Sequence, residues 1–317
     1  IGLPLSILAL EEDTDIAVLE MGMSGKGEID FLTKLARPHI AIITNIGESH
    51  LLDLGSREGI AEAKLEIING LSENGAIIYN GDEPLLRKRL ETYEGNGKLL
   101  TFGNNSSNTL YPVYYEQQET GSVFKINEYD KPFHLPVLGA HNVLNSLAAM
   151  LAARQFAIPY EIMDDGFKKL ELTSMRMELV EGIRGVKIIN DAYNASPTSM
   201  RAAIRLVESM DGFKKKILVL GDMLELGPDE EAFHFAIGKE LDPEKISELF
   251  TFGPLGKHIA RGALEVLPED RVHSYLDKDE LIRQLENYID KETLLLVKAS
   301  RGMKLEEVVK NLQRQDS

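Results

Sequence analysis

The sequence predicts an α/β protein of two domains in succession, each built on a mainly parallel sheet, with a small antiparallel appendage on the first. Three observations lead there. Short apolar, β-branched runs alternate with amphipathic helical stretches in both halves, the pattern of strands buried on both faces of a parallel sheet. Between Gly97 and Pro136 the alternation gives way to short β-rich pieces broken by Asn, Gly and Ser. The 317 residues, 43% hydrophobic and 27% charged, match two globular domains of roughly 150 residues each.

The chain opens on Ile1-Gly2-Leu3-Pro4-Leu5, in the middle of an apolar pattern, as a chain cut from a longer one or freed of an expression tag would. From Asp15 to Thr44 the order is a buried-type strand at Ile16 to Leu19, a helix at Glu28 to Ala36 and a strand at Ile40 to Ile43, a parallel β-α-β unit. A helix over Arg57 to Leu71, a strand at Ala76 to Tyr79 and a helix after Asp82-Glu83-Pro84 continue it. The appendage takes short strands at Leu110 to Tyr115, Ser122 to Ile126 and Pro132 to Leu138. Helical periodicity returns over Asn142 to Phe156 and Tyr160 to Leu170, which places the domain boundary near Leu172 and the two domains at 1–172 and 173–317. Strands at Met177 to Val180, Val186 to Asn190, Ile217 to Leu220, Leu249 to Phe252 and Leu294 to Val297 then alternate with helices, the signature of a Rossmann-like, doubly wound second domain.

With 51 acidic against 35 basic residues the formal charge is -16, which argues against generic binding to nucleic acid or anionic membrane. The absence of cysteine removes disulfides, thiolate metal sites and cysteine nucleophiles together, and suits a reducing compartment. No apolar run reaches the roughly 18 to 20 residues that span a bilayer, and no signal peptide is present, so no membrane insertion and a cytoplasmic location are expected.

Open α/β sheets bind ligands at the carboxyl ends of their strands, and the polar residues expected there are the candidate site. Glu20 ends the first expected strand and offers a carboxylate for magnesium, or else a strand-end acceptor for a backbone amide. The next strand ends in Thr44-Asn45-Ile46-Gly47-Glu48-Ser49-His50, where Asn45, Glu48 and Ser49 offer substrate contacts and His50 a metal ligand or a carbonyl-bonded loop imidazole. Lys64 lies within an amphipathic helix and reads as a surface charge, unless it is desolvated near that rim, where a neutral amine can add carbon dioxide and become an anionic carbamate. Asn142 and Asn145 sit three residues apart on one helix face with donors and acceptors suited to an adenine edge, although Asn142 equally suits a helix cap. Ser196 and Pro197 explain a helix start by themselves, leaving Asp191, Tyr193 and Asn194 as candidates for ligand contacts. Asp222, in Gly221-Asp222-Met223-Leu224-Glu225-Leu226-Gly227, stands on a further rim, either to meet a second substrate or to cap the helix beginning near Asp229.

In this order, Glu20-Met21-Gly22-Met23, Thr44 to His50, Ala63-Lys64, His141-Asn142 with Asn145, Met175-Arg176, Asn190 to Pro197 and Gly221 to Gly227 resemble the Mur ligase family over the whole chain. Within the family they resemble the member that joins D-alanyl-D-alanine to UDP-N-acetylmuramoyl-tripeptide in peptidoglycan precursor synthesis. The resemblance implies that the first half is a central ATP-binding domain, incomplete at its N-terminus, and the second half the C-terminal ligase domain. It implies ATP and Mg2+ as cofactors, an acyl phosphate intermediate and a monomeric enzyme. Carried over by position, Glu20 and His50 would be magnesium ligands and Lys64 an N-carboxylated lysine supporting a second magnesium. Asn142 and Asn145 would face adenine, Asp191 the ribose and Arg176 the nucleotide, with Tyr193, Asn194, Asp222, Ser300 and Arg301 at the peptide or dipeptide.

One departure accompanies these matches. Family members carry an N-terminal domain and a phosphate loop of the form G-x-x-x-x-G-K-S/T, and these 317 residues contain neither; Gly25-Lys26-Gly27 and Gly256-Lys257-His258 lack the pattern. Taken alone they are therefore expected neither to hydrolyse ATP nor to ligate. The alternatives are a ligase like the folylpolyglutamate synthases, the Mur ligase that adds the diamino acid (whose Asp-Asn-Pro-Arg motif is absent), and a non-catalytic nucleotide-binding homologue.

Overall fold

The computed structural model describes residues 2–170 and 173–313. In the first part the helices α1 (Gly2–Leu8) and α2 (Glu28–Ala36) precede strand β1 (Ile40–Ile43), followed by α3 (Leu51–Leu54), α4 (Arg57–Leu65), β2 (Ala76–Asn80), α5 (Pro84–Leu90) and β3 (Lys98–Phe102). The strands β4 (Pro112–Gln118), β5 (Gly121–Ile126) and β6 (Tyr129–Leu135) come next, then the helices α6 (Ala140–Gln155) and α7 (Tyr160–Lys168). The second part runs β7 (Glu178–Glu181), β8 (Lys187–Asp191), α8 (Pro197–Ser209), β9 (Lys215–Gly221), α9 (Glu230–Lys239), β10 (Glu248–Phe252) and α10 (Gly256–Ala263). It closes with β11 (Val272–Tyr275), α11 (Lys278–Leu285), β12 (Thr293–Lys298) and α12 (Glu306–Leu312).

By proximity the chain divides into one unit of residues 1–114, 124–132 and 143–165 and another of 115–123, 133–142 and 166–317. The boundary expected near Leu172 lies outside the described residues.

The first unit holds a parallel sheet in the order β1-β2-β3. Its core joins Ile43, Ile60, Ala63, Ile77, Tyr79, Leu86 and Leu90, so α4 and α5 cover the sheet with the apolar stripes that their spacing creates. Ser56 caps α4 by accepting the Gly59 amide, and Glu83 with Pro84 opens α5. The helix expected to reach Leu71 ends at Leu65 and tightens into a 3-10 turn over Glu66–Gly70, where a Cβ on Gly70 would stand 2.2 Å from the Thr33 carbonyl oxygen.

Two expectations for this unit are corrected. Ile16 to Leu19 form no strand, and Val18 is 94% exposed. An apolar run becomes a buried parallel strand only with ladder partners beside it, and no described strand pairs with this one. In the other direction, Lys98–Phe102 belongs to the parallel sheet as its third strand and not to the appendage. The appendage is a separate three-stranded sheet in the order β4-β5-β6. Its connections are too short for crossovers, which fixes its strands as successive hairpins.

The second unit is a six-stranded sheet in the order β11-β10-β9-β12-β8-β7, parallel except for β7, which pairs antiparallel with β8. Alternate residues of β9 and β12 feed two cores. Leu218, Leu220, Leu294 and Leu296 pack with α8, α9 and α10 on one face. Ile217, Val219, Leu295 and Val297 pack with α11 and α12 on the other. This is the doubly wound arrangement that the sequence predicts, with β11 as an added edge strand.

Ser196 caps α8 in a reciprocal box with Ser199, and Pro197 sits at the first helical position. Replacing Ser196 by Ala should cost about 1 kcal/mol of unfolding free energy, read from the urea midpoint of wild type and variant. A cap loss below the error of that measurement would contradict the role.

Candidate active site

In the first unit the rim after β1 is built from residues 44–50. His50 takes a left-handed conformation (φ 63) as it turns the chain into α3, and its carbonyl accepts from the amides of Asp53 and Leu54. Two basic side chains on one face of α4 hold the loop backbone. Lys64 Nζ donates to the Asn45 carbonyl at 2.8 Å, and Arg57 donates to the Ile46 carbonyl at 2.8 Å. Arg57 also pairs with Glu83 at 2.8 Å, and Glu83 caps α5. Lys64 is half-buried, and burial pushes its ammonium below the usual lysine range, against an opposing pull from the Glu83 charge. The structure thus brings Lys64 to the Asn45 end of this rim.

Asn45 is exposed, Glu48, Ser49 and His50 are half-buried, and Glu20 is exposed in the irregular segment before α2. Among the described residues no three His, Asp or Glu side chains form a group that could hold a metal ion. Of the three residues expected at magnesium, Lys64 is the one that burial perturbs, with its Nζ on the Asn45 carbonyl. Arg57 and Glu83 were not singled out in the sequence. The available signal was the seven-residue spacing of Arg57 and Lys64, which places both on one face of α4.

Helix α6 begins at Ala140, so Asn142 is not its cap. Its carboxamide instead donates to the Leu138 carbonyl at 2.8 Å, closing the turn around Gly139 (φ 96), and Asn145 is exposed one turn further on. In the second unit, Asp191 at the end of β8 is buried. One carboxylate oxygen accepts the Met177 amide at 3.2 Å and the other meets Lys298 Nζ at 2.5 Å. Lys298, at the end of β12 and 2% exposed, also donates to the Asn194 carbonyl at 3.0 Å. Burial pushes the His141 imidazole down, and it feels the opposing charges of Asp191 and Lys298. The Arg176 guanidinium lies 4.2 Å from the centre of the half-exposed Tyr193 ring. Met175 (φ 64) and Met177 (φ 51) both turn left-handed, and the Tyr193 amide donates to the Met175 carbonyl. Arg176, Asp191 and Tyr193 are therefore brought together, with Lys298 as an unforeseen partner.

The rim after β9 is tied at several points. Asp222, 2% exposed, accepts from the amides of Leu255 at 3.0 Å and Gly256 at 2.7 Å, so it caps α10 rather than the helix near Asp229. Gly253 (φ 103) makes this approach feasible, since a Cβ there would fall 2.5 Å from the carboxylate. The buried Ser300 donates its amide to the Asp222 carbonyl and accepts the Leu224 amide on Oγ at 2.9 Å. The exposed Arg301 pairs with Glu306 at 3.2 Å.

Burial raises the Asp222 carboxyl above its ordinary 3.8, against the lowering effect of the Gly256 and Leu255 amides. A carboxyl raised on folding stabilises fully below 3.8, and that contribution is lost as pH climbs through the raised value. Unfolding free energy of wild type minus Asp222→Asn should therefore fall with pH across that window. A flat difference from pH 3.5 to 7, on the order of experimental error, would contradict it.

Polar residues gathered at the carboxyl ends of parallel strands in both units are the arrangement of an α/β protein of the ligand-binding class. The chain belongs to the Mur ligase family: residues 1–153 match its middle domain and residues 175–301 its glutamate ligase domain. It is 54% identical to the UDP-N-acetylmuramoyl-tripeptide--D-alanyl-D-alanine ligase of Bacillus subtilis, over 98% of this chain and 67% of that protein. Among solved structures, MurF from Acinetobacter baumannii superposes with a TM-score of 0.89 at 26% identity, covering 99% of this chain and 68% of the other. MurF from Thermotoga maritima in complex with ADP gives 0.86 at 29% identity, covering 98% and 70%. The chain thus spans about two thirds of the length of these relatives. No described helix is long and apolar enough to cross a membrane.

Proposed function

We propose that this chain forms the middle and C-terminal domains, 1–172 and 173–317, of a cytoplasmic, monomeric ligase that joins D-alanyl-D-alanine to UDP-N-acetylmuramoyl-tripeptide with ATP and Mg2+. The substrates are taken from the relative at 54% identity, which also favours this reading over a folylpolyglutamate-synthase-like ligase or a non-catalytic homologue. The observation that carries the chemistry is Lys64, half-buried against the Asn45 carbonyl with its pKa pushed down. Its neutral amine attacks carbon dioxide, forming an N–C bond and releasing one proton to water, and the resulting carbamate supplies an anionic oxygen ligand.

Magnesium, when bound, would neutralise phosphate charge, with Glu20 and His50 as protein ligands and the Lys64 carbamate supporting a second ion. Asn45, Glu48 and Ser49 belong to the substrate rim beside Lys64. Asn142 and Asn145 face adenine, Arg176 the nucleotide and Asp191 the ribose. Asp222 and Ser300 are buried and bonded, so they act by fixing the rim, while Tyr193, Asn194 and Arg301 offer exposed groups to the dipeptide.

Residues 1–317 alone contain no phosphate loop, and a polypeptide of these residues should release no phosphate in response to D-alanyl-D-alanine. Dipeptide-dependent release from it would overturn that part of the reading.

A further inference from the structure

The segment from Asp222 to Leu226 crosses the carboxyl edge of the second sheet with little regular structure of its own, and Glu225 within it adopts a left-handed backbone (φ 65). A non-glycine residue holds that conformation only when its surroundings impose it. Three ties are described above: the Asp222 carboxylate, its carbonyl and the Leu224 amide. The fourth is His234 on α9, 0% exposed. Its Nδ1 lies 2.6 Å from the Glu230 carbonyl, which can only accept, so Nδ1 carries the proton. Nε2 is then an unprotonated acceptor, and the Met223 amide donates to it at 2.8 Å. Both ring nitrogens are committed, and burial pushes the imidazole further toward the neutral form that this arrangement needs.

We propose that His234 is the positioning residue of this loop: its neutral Nδ1–H tautomer clamps the Met223 amide and thereby holds the loop, with the exposed Leu224 on it, in place for the dipeptide substrate. The amides of Met223 and Leu224 and one Asp222 carboxylate oxygen are already bonded within the protein, so these groups fix the loop backbone, while the Leu224 side chain is exposed. The presentation role rests on the functional reading above; the clamp itself does not.

The test compares His234→Gln with His234→Phe. A glutamine carboxamide oxygen can replace Nε2 as acceptor, whereas phenylalanine fills the space and accepts nothing. On the 317-residue chain, hydrogen exchange at the Met223 amide should accelerate about tenfold or more in H234F and stay near wild type in H234Q. In the complete ligase, H234F should raise KM for D-alanyl-D-alanine about tenfold with KM for ATP nearly unchanged, and H234Q should restore it. Unchanged Met223 exchange in H234F overturns the clamp. Accelerated exchange with an unmoved dipeptide KM, or with all KM values rising together, overturns the presentation role. A wild-type enzyme indifferent to D-alanyl-D-alanine sinks the functional reading instead, and the exchange measurement still decides the clamp.

Discussion

Lys64→Ala, placed in the complete enzyme, should lower the rate of dipeptide-dependent ADP formation by about 10²-fold or more while leaving the fold intact. The structural reason is the position of the amine. Lys64 spans from α4 to the Asn45 carbonyl on the rim after β1, half out of water. Arg57 holds the neighbouring Ile46 carbonyl, so the loop keeps one of its two tethers in the variant and a large loss of stability is not expected. If the function of Lys64 is to carry an anionic carbamate, added formate or acetate should restore part of the rate to Lys64→Ala, and Lys64→Arg should stay inactive because guanidinium takes up no carbon dioxide. Wild-type activity in Lys64→Arg would remove the carbamate from the account and leave Lys64 as a simple tether.

Lys298→Met should destabilise the second unit by about 3–5 kcal/mol, because it leaves the buried Asp191 carboxylate without its counter-ion. The pair is closed at 2.5 Å, and the ammonium, 2% exposed, also holds the Asn194 carbonyl. Removing both charges in Lys298→Met with Asp191→Leu should recover most of the loss, since the cost lies in the orphaned charge more than in the absent attraction. Urea denaturation of the wild type, both single variants and the double variant gives the coupling directly. A single variant within about 1 kcal/mol of wild type would mean that the site relaxes or admits water.

The sequence made legible those features whose determinants lie close together along the chain. Ile40-Ala41-Ile42-Ile43 is bounded by polar residues and becomes β1 with the expected limits, and Ser196-Pro197 announces α8 through local capping chemistry. Ile16 to Leu19 carry the same apolar signal as β1 and form no strand, because pairing depends on neighbours that the local pattern does not encode. The edge strands Lys98–Phe102 and Val272–Tyr275 went unread for the opposite reason: Lys98 and Thr101 in one, and His273 and Ser274 in the other, leave no continuous apolar run.

Within the site, the rims after β1, β8 and β9 were readable from strand ends, but the Glu20 rim, which no described strand precedes, and the partners were not. Asp222 caps a helix that begins 34 residues later, and Lys298 pairs with Asp191 across 107 residues. His234 accepts from a backbone amide, a contact for which no side-chain pattern exists in the sequence.

The most direct test is an assay of ADP formation by a protein that carries these residues behind a phosphate loop, with UDP-N-acetylmuramoyl-tripeptide present and the second substrate varied. The account predicts ADP release that requires D-alanyl-D-alanine and yields the extended peptide nucleotide; ADP release supported equally by glutamate or without any dipeptide would contradict it.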